Sequence, residues 1–172
     1  LTKETAIALD IGGTTTDIAG FNGSNLMGVL SVKASDPLAS ASGALGKFIN
    51  QYNVSLIEIE KIAITGVGSS YIDMNLFGIE TIKINEFESI GLGGTYLGKL
   101  DKAIVVSMGT GTALVRVEKG IVKHLGGTGV GGGTLMGLGK VLLNTVDFDN
   151  ILEMAEKGNL SVVDLRLEDI SK

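Results

Sequence analysis

Twice in this chain a short apolar run stops at a Gly-Thr turn and a second apolar run follows, and this repeat limits the fold more than any other feature. The first instance is Asp10-Ile11-Gly12-Gly13-Thr14-Thr15-Thr16-Asp17, set between residues 6–9 and 18–21. Adjacent glycines admit a turn tight and bare enough for backbone N–H groups to point at an anion, and Thr14, Thr15 and Thr16 add hydroxyl donors. Asp10, closing the first run, is placed to orient a hydrated magnesium ion that accompanies phosphate. An ordinary hairpin turn carries the same local sequence, so this turn alone does not establish phosphate binding. The second instance is Ser107-Met108-Gly109-Thr110-Gly111-Thr112, between strand-like residues 103–106 and 113–117.

A third glycine-rich stretch, Gly126-Gly127-Thr128-Gly129-Val130-Gly131-Gly132-Gly133-Thr134, runs into Leu135, Leu138, Val141 and Leu142 at helical spacing. Glycines opening a helix present N–H donors and the positive end of the helix dipole to an anion. No Gly-Lys-Ser/Thr follows, so this is not the Walker pattern. The Rossmann fingerprint also fits poorly, because the Gly-Thr turns already account for the strands. A flexible linker is the competing reading, but linkers are rarely framed by apolar runs such as Val105-Val106 and Leu142-Leu143.

Composition narrows the function classes. With 172 residues, 44% of them apolar, the chain can bury a substantial core. The absence of cysteine excludes disulfides and thiolate metal sites, and the single histidine, His124, excludes polyhistidine zinc chemistry. Fourteen basic against 19 acidic residues, a net charge of −5, argue against a general nucleic-acid binder. No apolar run approaches the roughly 20 residues of a membrane span, and no basic segment leads a long apolar one, so a cytoplasmic protein is expected.

Further along, residues 25–33 read as a third strand and 37–52 as a helix with Leu38, Ala41, Leu45, Phe48 and Ile49 on one side. Residues 62–65 read as a strand ending in Gly66-Val67-Gly68-Ser69-Ser70, and 81–84 as another ending at Asn85 with a helix behind it. A meander followed by alternating strands and helices predicts an α/β domain whose ligands gather at the carboxyl ends of strands. A boundary falls near residues 99–102. After it a new meander begins, followed by the helix opened at 131–133 and another around 148–157.

In this order and spacing, the stretches from Asp10 to Thr16, Ile64-Thr65-Gly66-Val67-Gly68, Glu86-Phe87-Glu88 with Gly91-Leu92-Gly93, Ser107 to Thr112, and the run from Gly126 through Leu138 resemble the acetate and sugar kinase, Hsc70 and actin superfamily. Within it they are similar to the type II pantothenate kinases, over nearly the whole chain. The resemblance implies an actin-like ATPase (ribonuclease H-like) fold, with a complete first lobe over residues 1–100 and the beginning of a second over 101–172. It also implies phosphorylation of pantothenate by ATP with Mg2+, the first step of coenzyme A biosynthesis, usually in a homodimer. Type II enzymes continue past the region of Asp164, so this chain is expected to lack the end of the second lobe and to be inactive by itself.

Carried onto this sequence, the resemblance makes Glu86 the catalytic carboxylate, a choice between Glu86 and Glu88 that the residues alone leave open. It assigns Asp10, Gly12, Gly13, Thr14, Thr15 and Thr16, with Asp17 beside them, to the β- and γ-phosphates, and Asp10 to magnesium through water. Thr110 and Gly111 fall on the opposite side of the phosphates. Gly131, Gly132, Gly133, Thr134 and Leu135 fall toward the adenosine, and Phe148 near an aromatic position of the family. His124 stands where many type II enzymes carry an arginine and is expected to touch phosphate or substrate, against the reading of a packed scaffold residue. Asp17 stands where lysine is common, and an acid there is also found in hydantoinase-like relatives. Two alternatives remain: a sugar or N-acetylsugar kinase of the same superfamily, and a non-catalytic or hydantoinase-like nucleotide-binding domain.

Overall fold

The structure is a computed structural model that describes residues 5–73, 75–164 and 167–170. It opens with an antiparallel meander of β1 (Thr5–Ile11), β2 (Thr15–Asn22) and β3 (Asn25–Lys33). Side chains alternate across the sheet, so Ile7, Leu9 and Ile11 enter the core while Ala8 and Asp10 face the other way. Helix α1 (Pro37–Tyr52) covers the core face. Its start is set by Asp36, whose side chain accepts the Ala39 N–H at 2.9 Å, and by Pro37 in the first turn; Asn53, in the left-handed conformation at φ 52°, ends it. Ala41, Leu45 and Phe48 of the expected stripe are buried, whereas Leu38 is left exposed. Gly20 and Gly28, partners across β2 and β3, leave room for the Phe48 and Tyr52 rings: a Cβ added at either would fall 2.3 or 2.2 Å from ring carbon.

Two crossovers complete this sheet. β4 (Ile59–Thr65) pairs in parallel with β1, and β5 (Thr81–Lys83) with β4, giving the order β3-β2-β1-β4-β5. β4 begins three residues before the stretch read from sequence. Helix α2 (Glu86–Gly98) then leads to a second meander, β6 (Lys102–Met108), β7 (Thr112–Glu118) and β8 (Ile121–Thr128).

Although α2 follows directly from the first sheet, its body packs on the second. Gly91 and Gly94 form a flat notch on the helix, where added Cβ atoms would lie 2.9 Å from Val117 and 2.5 Å from Val105. Val115 and Val117 are buried beneath it. Helix α3 (Gly132–Leu143) follows β8, and α4 (Phe148–Glu156) docks against α3 by setting Ile151 over Gly139. The weak repeat in the sequence is thus a repeat in the fold, since each Gly-Thr turn joins the first two strands of a meander. Among the described residues, no helix is long and apolar enough to cross a membrane.

Candidate functional site

Both Gly-Thr turns and the start of α3 meet at one cleft of about 610 Å³. The first turn is closed by the Gly12 N–H donating to the Thr15 carbonyl at 2.9 Å, and a Cβ at Gly12 would come 2.8 Å from that same oxygen. Asp10, Gly12, Gly13, Thr14, Thr15 and Asp17 line the cleft from this side. Across from them stand Thr110 and Gly111, and the hydroxyls of Thr14 and Thr110 share a hydrogen bond of 3.2 Å. Phe148, at the start of α4, lines the far wall.

Thr16 lies elsewhere. It pairs with Ile11 on the core face of the sheet and is 0% exposed, and its hydroxyl has no hydrogen-bond partner among the described residues. Strict alternation along β2 turns it inward while Thr15 and Asp17 turn to the cleft, which removes its side chain from the set expected to meet phosphate.

The glycines at the start of α3 serve mainly close packing. The Gly132 N–H donates to the Gly109 carbonyl at 2.8 Å, so this donor is already engaged. Cβ atoms at Gly131 and Gly133 would fall 2.7 Å from the Gly111 backbone and 2.8 Å from Thr110. The Thr134 hydroxyl donates to the Gly129 carbonyl at 3.1 Å and accepts the Gly131 N–H at 3.4 Å, bracing the segment internally. Gly132 and Gly133 line the cleft, whereas Gly131, Thr134 and Leu135 stand behind it. The stretch therefore wraps the second turn and holds Thr110 forward.

Three carboxylates converge. Asp10, next to last in β1, pairs directly with Asp17 on β2, and Glu86 opens α2 at the same cleft. Neighbouring protein desolvates Asp10, and this burial, followed by the charges of Glu86 and Asp17, holds its carboxyl above the ordinary carboxylate range. Asp17 is steadied by the Thr15 hydroxyl, which donates to it at 3.0 Å. Gly66, at the end of β4, has φ 83° and ψ 167°, and a Cβ there would sit 2.3 Å from Asp10 Oδ1. Only glycine lets this backbone pass so close to the carboxylate.

Glu86 is held by its own helix start: the Asn85 carboxamide accepts the N–H groups of Phe87 at 2.9 Å and Glu88 at 3.3 Å. Glu88 does not line the cleft. Neither does His124, which stacks flat on Phe87 with centroids 3.8 Å apart and planes 11° off parallel. The cleft also has apolar walls that the motifs did not single out, Ile90 and Met136. Each follows a motif glycine or acid by one helical turn, Ile90 after Glu86 and Met136 after Gly132, and that spacing is the signal that finds them.

Among the described residues no group of three or more His, Cys, Asp or Glu is arranged to enclose a metal ion. A magnesium ion that travels on phosphates needs no such cage, only one or two carboxylates. Asp10 fits this demand, because a cation beside it relieves the repulsion from Asp17 and Glu86.

The Fumble family model matches residues 99–172. A type II pantothenate kinase of Bacillus cereus (strain G9842) is 32% identical over 180 residues, an alignment covering 97% of this chain and 60% of that protein. The chain therefore spans about three-fifths of the length of this relative. In structure it resembles component A of the (R)-2-hydroxyglutaryl-CoA dehydratase of Acidaminococcus fermentans, with a TM-score of 0.69, 14% identity and coverage of 90% of this chain and 60% of that one. It also resembles the activator of the 2-hydroxyisocaproyl-CoA dehydratase of Clostridium difficile, solved with bound ADPNP, with a TM-score of 0.63, 16% identity and coverage of 94% and 58%. Over nearly its whole length the chain is similar in sequence to type II pantothenate kinases, and its fold is that of these two dehydratase activator components.

Proposed function

We propose that the protein carrying this chain transfers the γ-phosphoryl group of ATP to the primary hydroxyl of pantothenate, the opening step of coenzyme A biosynthesis. The observation that carries this reading is the meeting of both Gly-Thr turns, at Thr14 and Thr110, in the cleft that also holds Asp10 and Glu86. Turn N–H groups and the Thr14, Thr15 and Thr110 hydroxyls cradle the β- and γ-phosphates, with Gly132 and Gly133 along the nucleotide and Phe148 at its far side. Asp10 holds magnesium through water, and the ion supplies positive charge to the phosphate oxygens. Glu86 aligns the acceptor hydroxyl and takes its proton as the oxygen bonds to γ-phosphorus and the bond to the β-γ bridging oxygen breaks, releasing ADP. Two lobes, divided near residue 100, close over the reactants. On this reading the protein is cytoplasmic and works as a homodimer.

The test is ATP consumption by the protein with pantothenate against a panel of sugars and N-acetylsugars. Stimulation by pantothenate alone supports the reading. Stimulation by a sugar and not by pantothenate overturns the acceptor assignment, and binding of nucleotide without stimulation by either points to a non-catalytic domain.

A further inference from the structure

Glu86 stands on the first turn of α2, and helix ends readily fray. Asn85 caps this one through backbone N–H groups. His124 also meets this first turn, its imidazole lying flat on the Phe87 ring at 3.8 Å between centroids. The pairing of β8 with β7 puts the imidazole there. The β7–β8 register shifts between Leu114 and Val115, so Leu114 faces Gly126, Val115 faces His124, and Leu125 is the extra residue. Val115 is buried beneath α2, and a register partner shares its face of the sheet. The turn at residues 119–120 sets this face, since the pairing runs unbroken from Glu118 opposite Ile121 to Val115 opposite His124, and the shift falls beyond it.

We propose that His124 is a positioning residue, a flat ring on the α2-facing side of β8 that clamps Phe87 and so fixes where the adjacent Glu86 carboxylate stands. The role rests on the reading of Glu86 as the base. It asks for a plate, and neither imidazole proton transfer nor a positive charge on phosphate takes part. A ring of another kind therefore serves, and a charge without a ring does not.

Turnover and a proton spectrum test this together in the protein carrying the chain. His124→Ala is expected to lower kcat roughly ten- to a hundredfold, as misplacement of a reacting group does, with the KM for ATP within about twofold of the parent. His124→Phe restores most of the loss, His124→Lys does not, and adding His124→Ala to Phe87→Ala costs little more. His124 is the single histidine, so its imidazole signals need no assignment. They should be shifted upfield by the Phe87 ring and lose that shift in Phe87→Leu. Unshifted signals in the folded parent, equal damage from His124→Phe and His124→Ala, or rescue by His124→Lys would each overturn the proposal. If Glu86→Gln keeps its turnover while the upfield shift is present, the base assignment fails, and the role of His124 falls with it for a reason distinct from the stack.

Discussion

The hydroxyl oxygens of Thr14 and Thr110 lie 3.2 Å apart, although 96 positions separate the two residues in sequence. Each engages the other across the cleft, so phosphate arriving between the turns has to exchange that bond for bonds to its own oxygens. Thr110→Val and Thr14→Val are each expected to weaken ATP binding by about ten- to a hundredfold, the worth of a hydrogen bond to a charged group. Isothermal titration of either variant with unchanged affinity would take its hydroxyl out of the phosphate cradle.

Glu86→Gln keeps the shape at the head of α2 and removes the proton acceptor. Turnover should fall roughly two to four orders of magnitude, with ATP affinity little changed. Near-normal turnover would release Glu86 from this role.

Asp10 gives a pH dependence whose sign follows from its surroundings. Burial first, then Glu86 and Asp17, raise its carboxyl pKa, so within the window between the ordinary and the raised value the folded chain binds more protons than the unfolded one. The contribution of this group to stability therefore falls as pH rises through the window and returns on acidification. Asp10→Asn should raise the melting temperature at neutral pH, with the advantage shrinking as pH is lowered through the window, and should remove turnover. An asparagine variant that melts lower than the parent at neutral pH would contradict the electrostatic account.

Gly66→Ala places a methyl group 2.3 Å from Asp10 Oδ1 in a backbone conformation reserved for glycine. A loss of about 1–3 kcal/mol is expected from the backbone alone, measurable by denaturant unfolding. Combining Gly66→Ala with Asp10→Gly should recover part of the loss, because the clashing carboxylate is then gone. No recovery would assign the cost to φ and ψ together with the Ile11 backbone, whose carbonyl oxygen the same Cβ approaches to 2.6 Å.

Much of this architecture was legible from residue order. The helix over 37–52 begins and ends where Pro37 and Tyr52 do, because an aspartate cap and a proline mark its start locally. The Gly-Thr turns declared themselves by the runs that flank them, and the comparisons agree with the family that the motifs suggested. What escaped depends on pairing. Thr16 reads like its neighbours, and only the alternation of β2 against Ile11 shows that it faces inward. His124 reads as a phosphate contact by position, but its pairing with Val115 turns it to Phe87, and no local composition announces that contact. The glycines at 131–133 read as an anion cradle, yet much of their purpose is the close passage of one backbone beside another, with Gly132 N–H bonded to Gly109. Such contacts join residues distant in sequence and leave no periodic trace.

Asp10 and Glu86 travel with different parts of the molecule. Asp10 is fixed in the first sheet, whereas Glu86 heads a helix seated on the second through Gly91 and Gly94. Any movement that parts the sheets lengthens the distance between these carboxylates and eases the Glu86 share of what raises Asp10, while burial, the larger cause, and Asp17, on the same sheet, act within the first part. The proton affinity of Asp10 is therefore tied to the spacing of the two sheets, because one of the charges that raise it stands on the second.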